Sequence, residues 1–110
     1  MKQNLIDIKE DGSFRLNMKY FNYTVGLTMT NENFNKLFNR KPRKSESEIT
    51  QFEMDLASSL QIITEEIVIK LAKTAKKLTG SKNLTMAGGV ALNCVANGVL
   101  LREKIFENIW

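Results

Sequence analysis

The chain has 110 residues, a net charge of +4 and one cysteine, so it can build one small domain but no internal disulfide. It contains no histidine, which excludes a Ser-His-Asp triad, and one cysteine without histidine cannot assemble a zinc site. No apolar run approaches the roughly 20 residues that cross a bilayer, and residues 1–12 lack the apolar core of a signal peptide, so we expect a cytoplasmic protein without membrane contact.

The N-terminal segment predicts a β-hairpin over residues 4–23. Residues 4–9 alternate weakly between apolar and polar side chains, Asp11-Gly12 supplies a turn, and residues 14–20 alternate well. The aromatic residues of this segment alternate with the cations Arg15 and Lys19, as on surfaces where nucleic-acid bases stack on aromatic side chains. These aromatic residues are Phe14, Tyr20, Phe21 and Tyr23. Strand propensity explains these aromatics without a ligand, so the pattern does not by itself predict nucleic-acid binding.

A short helix and a basic loop follow the hairpin. Phe34, Leu37 and Phe38 have the i, i+3, i+4 spacing of an amphipathic helix over residues 31–38, capped by Thr30 or Asn31. The next segment, RKPRK at residues 40–44, places four cations in five residues and can attract phosphate or nucleic acid. A solvated loop is the simpler interpretation, because short basic runs are weak motifs.

Residues 50–79 predict one long helix. Thr50 and Glu53 have the spacing of a capping box, and Gly80 follows the last helical residue. An apolar stripe recurs every three or four residues between them, at Phe52, Leu56, Leu60, Ile63, Ile67, Leu71, Ala75 and Leu78. A helix of roughly 30 residues is about 45 Å long, which suggests that it packs against a larger sheet than residues 1–30 can form.

The C-terminal third predicts a strand, a glycine turn and a helix over residues 83–104. Asn83 to Ala87 read as a buried strand, residues 90–104 as a helix, and residues 105–110 as the start of another strand. This order is typical of an α/β unit with parallel strands that are covered on both faces. We therefore expect residues 1–110 to form a partial domain of a larger α/β protein, with sheet edges or apolar faces through which it could form homo-oligomers.

The glycine pair Gly88-Gly89 is the candidate binding site. A glycine turn before a helix lets a phosphate or ribose approach the backbone, and the helix N-terminus offers unpaired amides. Asn93 and Asn97, with i, i+4 spacing, would lie on one face of that helix and could hydrogen-bond a sugar or base edge. A structural turn is equally compatible with the pattern, because the full dinucleotide and Walker motifs are missing. We expect Cys94 to be a buried packing residue.

The segment LTMAGGVALNCVANGVLLREKIFENIW resembles the signature of the O-carbamoyltransferase family, which includes nodulation-factor and antibiotic carbamoyltransferases. DGSFRLNMKYFNY, GLTMTNENFNKLF and TQFEMDLASSLQIITEEI resemble consecutive segments of that family in the same order. The short motif GGVALN alone is shared more widely, with the related ATPase that makes the threonylcarbamoyl modification of tRNA. The resemblance therefore covers nearly the whole chain.

The resemblance implies a fold and a chemistry. The fold is an actin/Hsp70-like ATPase domain built from ribonuclease-H-like halves. Members use ATP and carbamoyl phosphate to make a carbamoyl-adenylate, release pyrophosphate, and pass the carbamoyl group to an acceptor hydroxyl at a divalent metal. Carried over by position, Gly88, Gly89 and Val90 would lie against the adenylate. Asn93 would hydrogen-bond the nucleotide, and Asn97 is a weaker candidate.

The chain departs from the family pattern at the metal. The family's metal ligands are largely histidines that precede this segment and an aspartate that follows it, and adenylate formation belongs to a separate domain. The resemblance thus implies an enzyme for the longer protein, with no catalytic residue and no metal ligand in these 110 residues, which alone would be inactive. The alternatives are a non-enzymatic α/β module that binds nucleotide or self-associates, and a nucleic-acid-binding piece that uses the basic loop.

Overall fold

The computed structural model describes all 110 residues as a mixed α/β arrangement with two small sheets. The elements are, in chain order, β1 (Ile6–Ile8), β2 (Phe14–Leu16), α1 (Glu32–Phe38), α2 (Gln51–Thr79), β3 (Asn83–Leu84), α3 (Cys94–Arg102) and β4 (Asn108–Ile109). Short 3-10 turns lie at Met18–Tyr20 and Gly89–Leu92. The predicted order of hairpin, short helix, long helix, strand, glycine turn and helix is confirmed.

The hairpin is antiparallel and its turn rests on the long helix. Ile6 pairs with Leu16, and the register continues to the end of both strands. Gly12 in the turn is buried, with a φ of 90°, and a Cβ built on it would lie 2.6 Å from the backbone nitrogen of Leu71. Thr74 Oγ1 donates to the Asp11 carbonyl at 2.8 Å. Glycine is therefore required here both for the turn and for the close approach to α2.

Helix α1 begins after Asn31, which settles the predicted choice of cap. The Asn31 side chain accepts hydrogen bonds from the backbone amides of Asn33, at 3.0 Å, and Phe34, at 3.3 Å. The helix ends at Asn39, whose left-handed backbone (φ 52°) lets its amide reach the carbonyls of the last turn. The helix is therefore closed at both ends by asparagine.

Helix α2 has 29 residues and the predicted ends. The Thr50 amide donates to Glu53 Oε2 at 2.8 Å, as the capping box requires, and Gly80 adopts the left-handed conformation at the C-terminus. Only Ile63 and Ala72 of this helix are buried, whereas Leu78 is 79% exposed. No helix is long and apolar enough to span a membrane. Three of the eight residues of the predicted apolar stripe, Leu60, Leu71 and Leu78, are therefore exposed, and four others are only partly covered.

The core is small. Six hydrophobic residues are buried, and three of them, Ala72, Leu100 and Phe106, form one cluster. This cluster packs against the partly buried Val68, Ile69, Ala75, Leu84, Met86, Ile105 and Ile109. The accessible surface is 8299 Å², whereas a compact monomer of 12.6 kDa exposes about 6,200 Å². The radius of gyration is 16.5 Å, against about 13 Å for a compact domain of this length. About 2,100 Å² of surface is thus in excess of what a compact fold would leave open.

Three details of the C-terminal prediction are wrong. Strand β3 ends at Leu84 rather than Ala87, and helix α3 runs from Cys94 to Arg102 rather than from Val90 to Lys104. The helix starts late because Asn93 has an extended backbone (ψ 91°) and its side chain caps the helix by accepting from the Ala96 amide at 3.0 Å. Cys94 is consequently the first helical residue and is exposed, not buried. The predicted parallel pairing is confirmed, between β3 and β4.

Candidate nucleotide site at the glycine turn

The Gly88-Gly89 turn presents bare backbone to open space. Gly88 has φ 101° and ψ 173°, a combination that is essentially restricted to glycine. A Cβ built on Gly88 or on Gly89 would have no neighbouring atom within 4 Å. Val90, the next residue, is 59% exposed. The turn therefore needs glycine at residue 88 for its conformation, whereas nothing inside this chain requires glycine at residue 89.

Asn93 is held by a partner that the sequence did not reveal. Its Nδ2 donates to Gln61 Oε1 at 2.9 Å, and Gln61 Nε2 donates back to its Oδ1 at 3.2 Å. The same Oδ1 caps α3, so both polar atoms of the side chain are used within the chain. Asn93 therefore precedes the helix and is not a residue of it, although a helix over residues 90–104 was predicted. Gln61 lies 32 residues away in the sequence, and no local pattern pairs the two.

Asn97 keeps one unused acceptor. Its Nδ2 donates to the Ala91 carbonyl at 2.7 Å, whereas its Oδ1 is buried without any hydrogen-bond partner. The side chain lines a depression of about 210 Å³ together with Met86, Ala91, Leu101, Ile109 and Trp110. A buried acceptor that makes no hydrogen bond costs about 1–3 kcal/mol, so an external N–H or O–H donor would be stabilised there.

An apolar groove separates the glycine turn from helix α2. Its volume is about 340 Å³, and ten of its eleven lining residues are hydrophobic. The lining comprises Val68, Leu71, Ala72, Ala75, Leu84, Thr85, Met86, Ala87, Val90, Ala91 and Leu100. No cation lines this groove, so it suits a flat ring or another apolar segment better than it suits a phosphate chain.

The residues present fit a nucleotide in part and do not fit a metal. The open backbone at Gly88-Gly89 and the apolar groove leave room for an adenosine moiety, whereas Asn97 lines a separate depression and its Oδ1 is buried. In contrast, no group of three or more His, Cys, Asp or Glu side chains lies together. The side chains of these residues therefore do not make up a metal site of their own.

Three carboxyl groups of the chain have a lowered pKa. Hydrogen bonds to each carboxylate, from residues that are close to it in space, lower its pKa below the ordinary value. They are Asp11, which accepts from the Ser13 hydroxyl and amide, Glu53, which accepts from Thr50, and Glu66, which pairs with Lys2 and Lys70. None of them lines the apolar groove or the depression at Asn97.

Comparison with known proteins identifies the family. The family model for the carbamoyltransferase N-terminus matches residues 1–110. The uncharacterized protein sll1178 of Synechocystis sp. is 59% identical over 107 residues, which cover 97% of this chain and 17% of that protein. Nodulation protein NolNO of Sinorhizobium fredii is 44% identical over 68 residues, 62% of this chain and 10% of its own length.

An enzyme that modifies tRNA also matches. The tRNA N6-adenosine threonylcarbamoyltransferase of Polynucleobacter necessarius is 37% identical over 73 residues, 66% of this chain and 20% of that enzyme. The chain thus spans between 10% and 20% of the length of these three relatives. Because the family model covers every residue, the chain belongs to the carbamoyltransferase family and corresponds to its N-terminal part.

Proposed function

We propose that this chain forms one wall of the adenylate site of an O-carbamoyltransferase. In the proposed reaction, carbamoyl phosphate loses its phosphate to water, and the resulting carbamate attacks the α-phosphorus of ATP, releasing pyrophosphate. An acceptor hydroxyl then takes the carbamoyl group from the carbamoyl-adenylate, and AMP leaves. Carbamoyl transfer is supported by the family of the chain, and the adenylate route is our proposal for the longer protein.

The observation that carries the proposal is the open glycine turn in a chain that matches the family throughout. Gly89 has no structural reason to lack a side chain, since a Cβ there would meet no atom within 4 Å. A ligand that approaches the backbone supplies that reason, because it would occupy the space of the Cβ. Gly88, Gly89 and Val90 would then lie against the adenosine.

The two asparagines have different roles in this proposal. Asn97 Oδ1 is an acceptor without a partner, and the exocyclic amine of adenine or a ribose hydroxyl would donate to it once the side chain turns outward from its buried position. Asn93 can contact the nucleotide with its second Nδ2 hydrogen while the first remains on Gln61. Asn93 therefore both positions the turn, by holding α3 to α2, and offers one free donor.

The uncovered surface explains why we expect these residues alone to be inactive. About 2,100 Å² in excess of a compact monomer is the size of a large protein–protein interface, and the apolar groove beside the turn forms part of it. In the longer protein, which we expect to have the actin/Hsp70-like fold, further residues would cover this surface and complete the site. Alternatively, a second copy of the chain could cover this surface. Such self-association would favour the alternative of a non-enzymatic α/β module.

A chimera tests the proposed activity. Residues 1–110 would replace the matching segment of sll1178, whose 59% identity over 107 residues should preserve the surrounding contacts. We expect pyrophosphate release from ATP that requires carbamoyl phosphate, and a loss of at least tenfold with Gly89→Ala. Gly98→Ala, in helix α3, is the matched control and should leave the rate unchanged. Carbamoyl-phosphate-dependent release that is equal in Gly89→Ala and in the parent chimera would contradict the proposed role of the turn.

A further inference from the structure

The basic segment at residues 36–44 is an uncompensated positive patch. It contains five cations within nine residues: Lys36, Arg40, Lys41, Arg43 and Lys44. None of them has a carboxylate within ion-pair distance, whereas four lysines elsewhere in the chain do. All five are exposed. The three lysines of this patch therefore have no ion-pair partner, whereas Arg40 and Arg43 each donate one hydrogen bond to an oxygen of the fold.

Part of the patch forms a polar depression of about 280 Å³. It is lined by Glu32, Asn35, Lys36, Asn39, Arg40 and Lys41, with no hydrophobic side chain among them. Three cations thus line the depression with the Glu32 carboxylate, which is already bonded to the Asn35 side-chain amide at 3.2 Å. Arg40 also lies near the Glu53 carboxylate, which is itself bonded to Thr50. The backbone amides of Asn39 and Arg40 both donate to the Asn35 carbonyl. This carbonyl belongs to the last turn of α1 and is therefore already hydrogen-bonded.

Arg40 is held in place before any ligand arrives. Its guanidinium lies 4.5 Å from the ring centroid of Phe52, and its Nη2 donates to Thr50 Oγ1 at 3.4 Å. Phe52 in turn packs edge-on against Phe38 of α1, with centroids 5.7 Å apart. A stacked guanidinium has lost its rotamer freedom already, and four of its five N–H donors have no bonded partner here. Such a group binds an oxyanion at a reduced entropic cost.

We propose that this depression, with Arg40 as its fixed donor, is a binding site for a phosphate oxyanion. Pyrophosphate and the phosphodiester backbone of RNA share this chemistry. The site is separate from the glycine turn, because Thr50 lies about 16 Å along the axis of α2 from Gln61, the residue that holds Asn93. It does not rest on the proposed carbamoyltransferase activity.

Titration calorimetry of the 110-residue chain with pyrophosphate at low salt tests the proposal. Lys36→Gln with Lys41→Gln should weaken binding at least fivefold. Lys73→Gln with Lys77→Gln, an equal charge change on the exposed side of α2, should alter it less than twofold. Arg40→Lys keeps the charge but loses the planar fork, and should weaken binding about threefold. Equal weakening by the two double variants, or no binding by the parent chain, would overturn the proposal.

A single-stranded RNA of twelve nucleotides separates the two sources of phosphate. RNA that competes with pyrophosphate and loses affinity with salt, at a log–log slope near about −2 for three contacted phosphates, identifies a polynucleotide as ligand. RNA that binds no more tightly than pyrophosphate identifies a small phosphate compound. Both results require the loss of binding in Lys36→Gln with Lys41→Gln, and RNA binding that survives this variant unchanged would contradict the site.

Discussion

The side-chain pair between Asn93 and Gln61 should be energetically coupled. Asn93 caps α3 through Ala96 and exchanges two hydrogen bonds with Gln61 on α2. Asn93→Ala removes all three bonds and leaves the half-buried Gln61 amide with fewer partners. The pair therefore joins the glycine turn to the longest element of the fold.

The expected magnitudes follow from these contacts. Loss of an N-cap costs about 1 kcal/mol, and loss of the amide pair costs about 1 kcal/mol more, so Asn93→Ala should lower the free energy of unfolding by about 2 kcal/mol. Gln61→Ala removes the pair and keeps the cap, and should cost about 1 kcal/mol. Asn93→Ser keeps a capping oxygen and should cost about as much as Gln61→Ala. The double variant Asn93→Ala with Gln61→Ala should cost about 2 kcal/mol, which gives a coupling energy near 1 kcal/mol.

Urea unfolding followed by circular dichroism at 222 nm measures these four variants. Gln51→Ala is the matched control, because Gln51 bonds only its exposed helical neighbour Asp55, at 2.8 Å, and should change the free energy by less than about 0.5 kcal/mol. Additive effects of Asn93→Ala and Gln61→Ala, with a coupling below about 0.3 kcal/mol, would refute the contact on which the placement of the turn depends.

Four further predictions concern the rest of the fold. Gly12→Ala should destabilise the chain by at least about 2 kcal/mol in urea, because its φ is 90° and the new Cβ would lie 2.6 Å from the Leu71 nitrogen. Gly98→Ala should stabilise it by about 0.5–1 kcal/mol, as expected inside a helix; a loss would contradict the assignment. The folded chain lowers the pKa of Glu66, so its ionised form stabilises the fold above the ordinary value of 4.5, and that stability is lost as the pH falls through the lower folded-state pKa. Glu66→Gln should flatten this acid decline in a pH series, and an unchanged decline would count against the ion pairs. The average mass in sedimentation should rise with concentration, because so much surface is uncovered, and a strict monomer would contradict self-association.

Local signals were sufficient to predict helix α2. Thr50 and Glu53 lie three residues apart and Gly80 directly follows the helix, so both ends depend on neighbours in the sequence. The hairpin was predicted for the same reason, although its strands are shorter than the alternation suggested. The alternation of side chains in the sequence predicts that a strand forms. The length of the strand depends on how many residues of the neighbouring strand can pair with it.

Long-range contacts account for what the sequence did not predict. The apolar pattern of the sequence predicts that α3 begins at Val90. The helix begins only after Asn93, which caps it and whose side chain is hydrogen-bonded to Gln61 of α2. The two-residue strands β3 and β4 likewise depend on a parallel pairing between distant segments. At the candidate site the glycine turn was found from sequence, whereas Gln61 and the buried Oδ1 of Asn97 required the three-dimensional arrangement.

Photoaffinity labelling of the chain with 8-azido-ATP tests the central claim most directly. Trypsin cuts after Lys82 and Arg102, so residues 83–102 form one peptide that holds the glycine turn and both asparagines. We expect the adenine label to lie in this peptide, to be displaced by AMP and to fall at least fivefold in Gly89→Ala. Labelling confined to the basic segment at residues 36–44, or unchanged by Gly89→Ala, would contradict it.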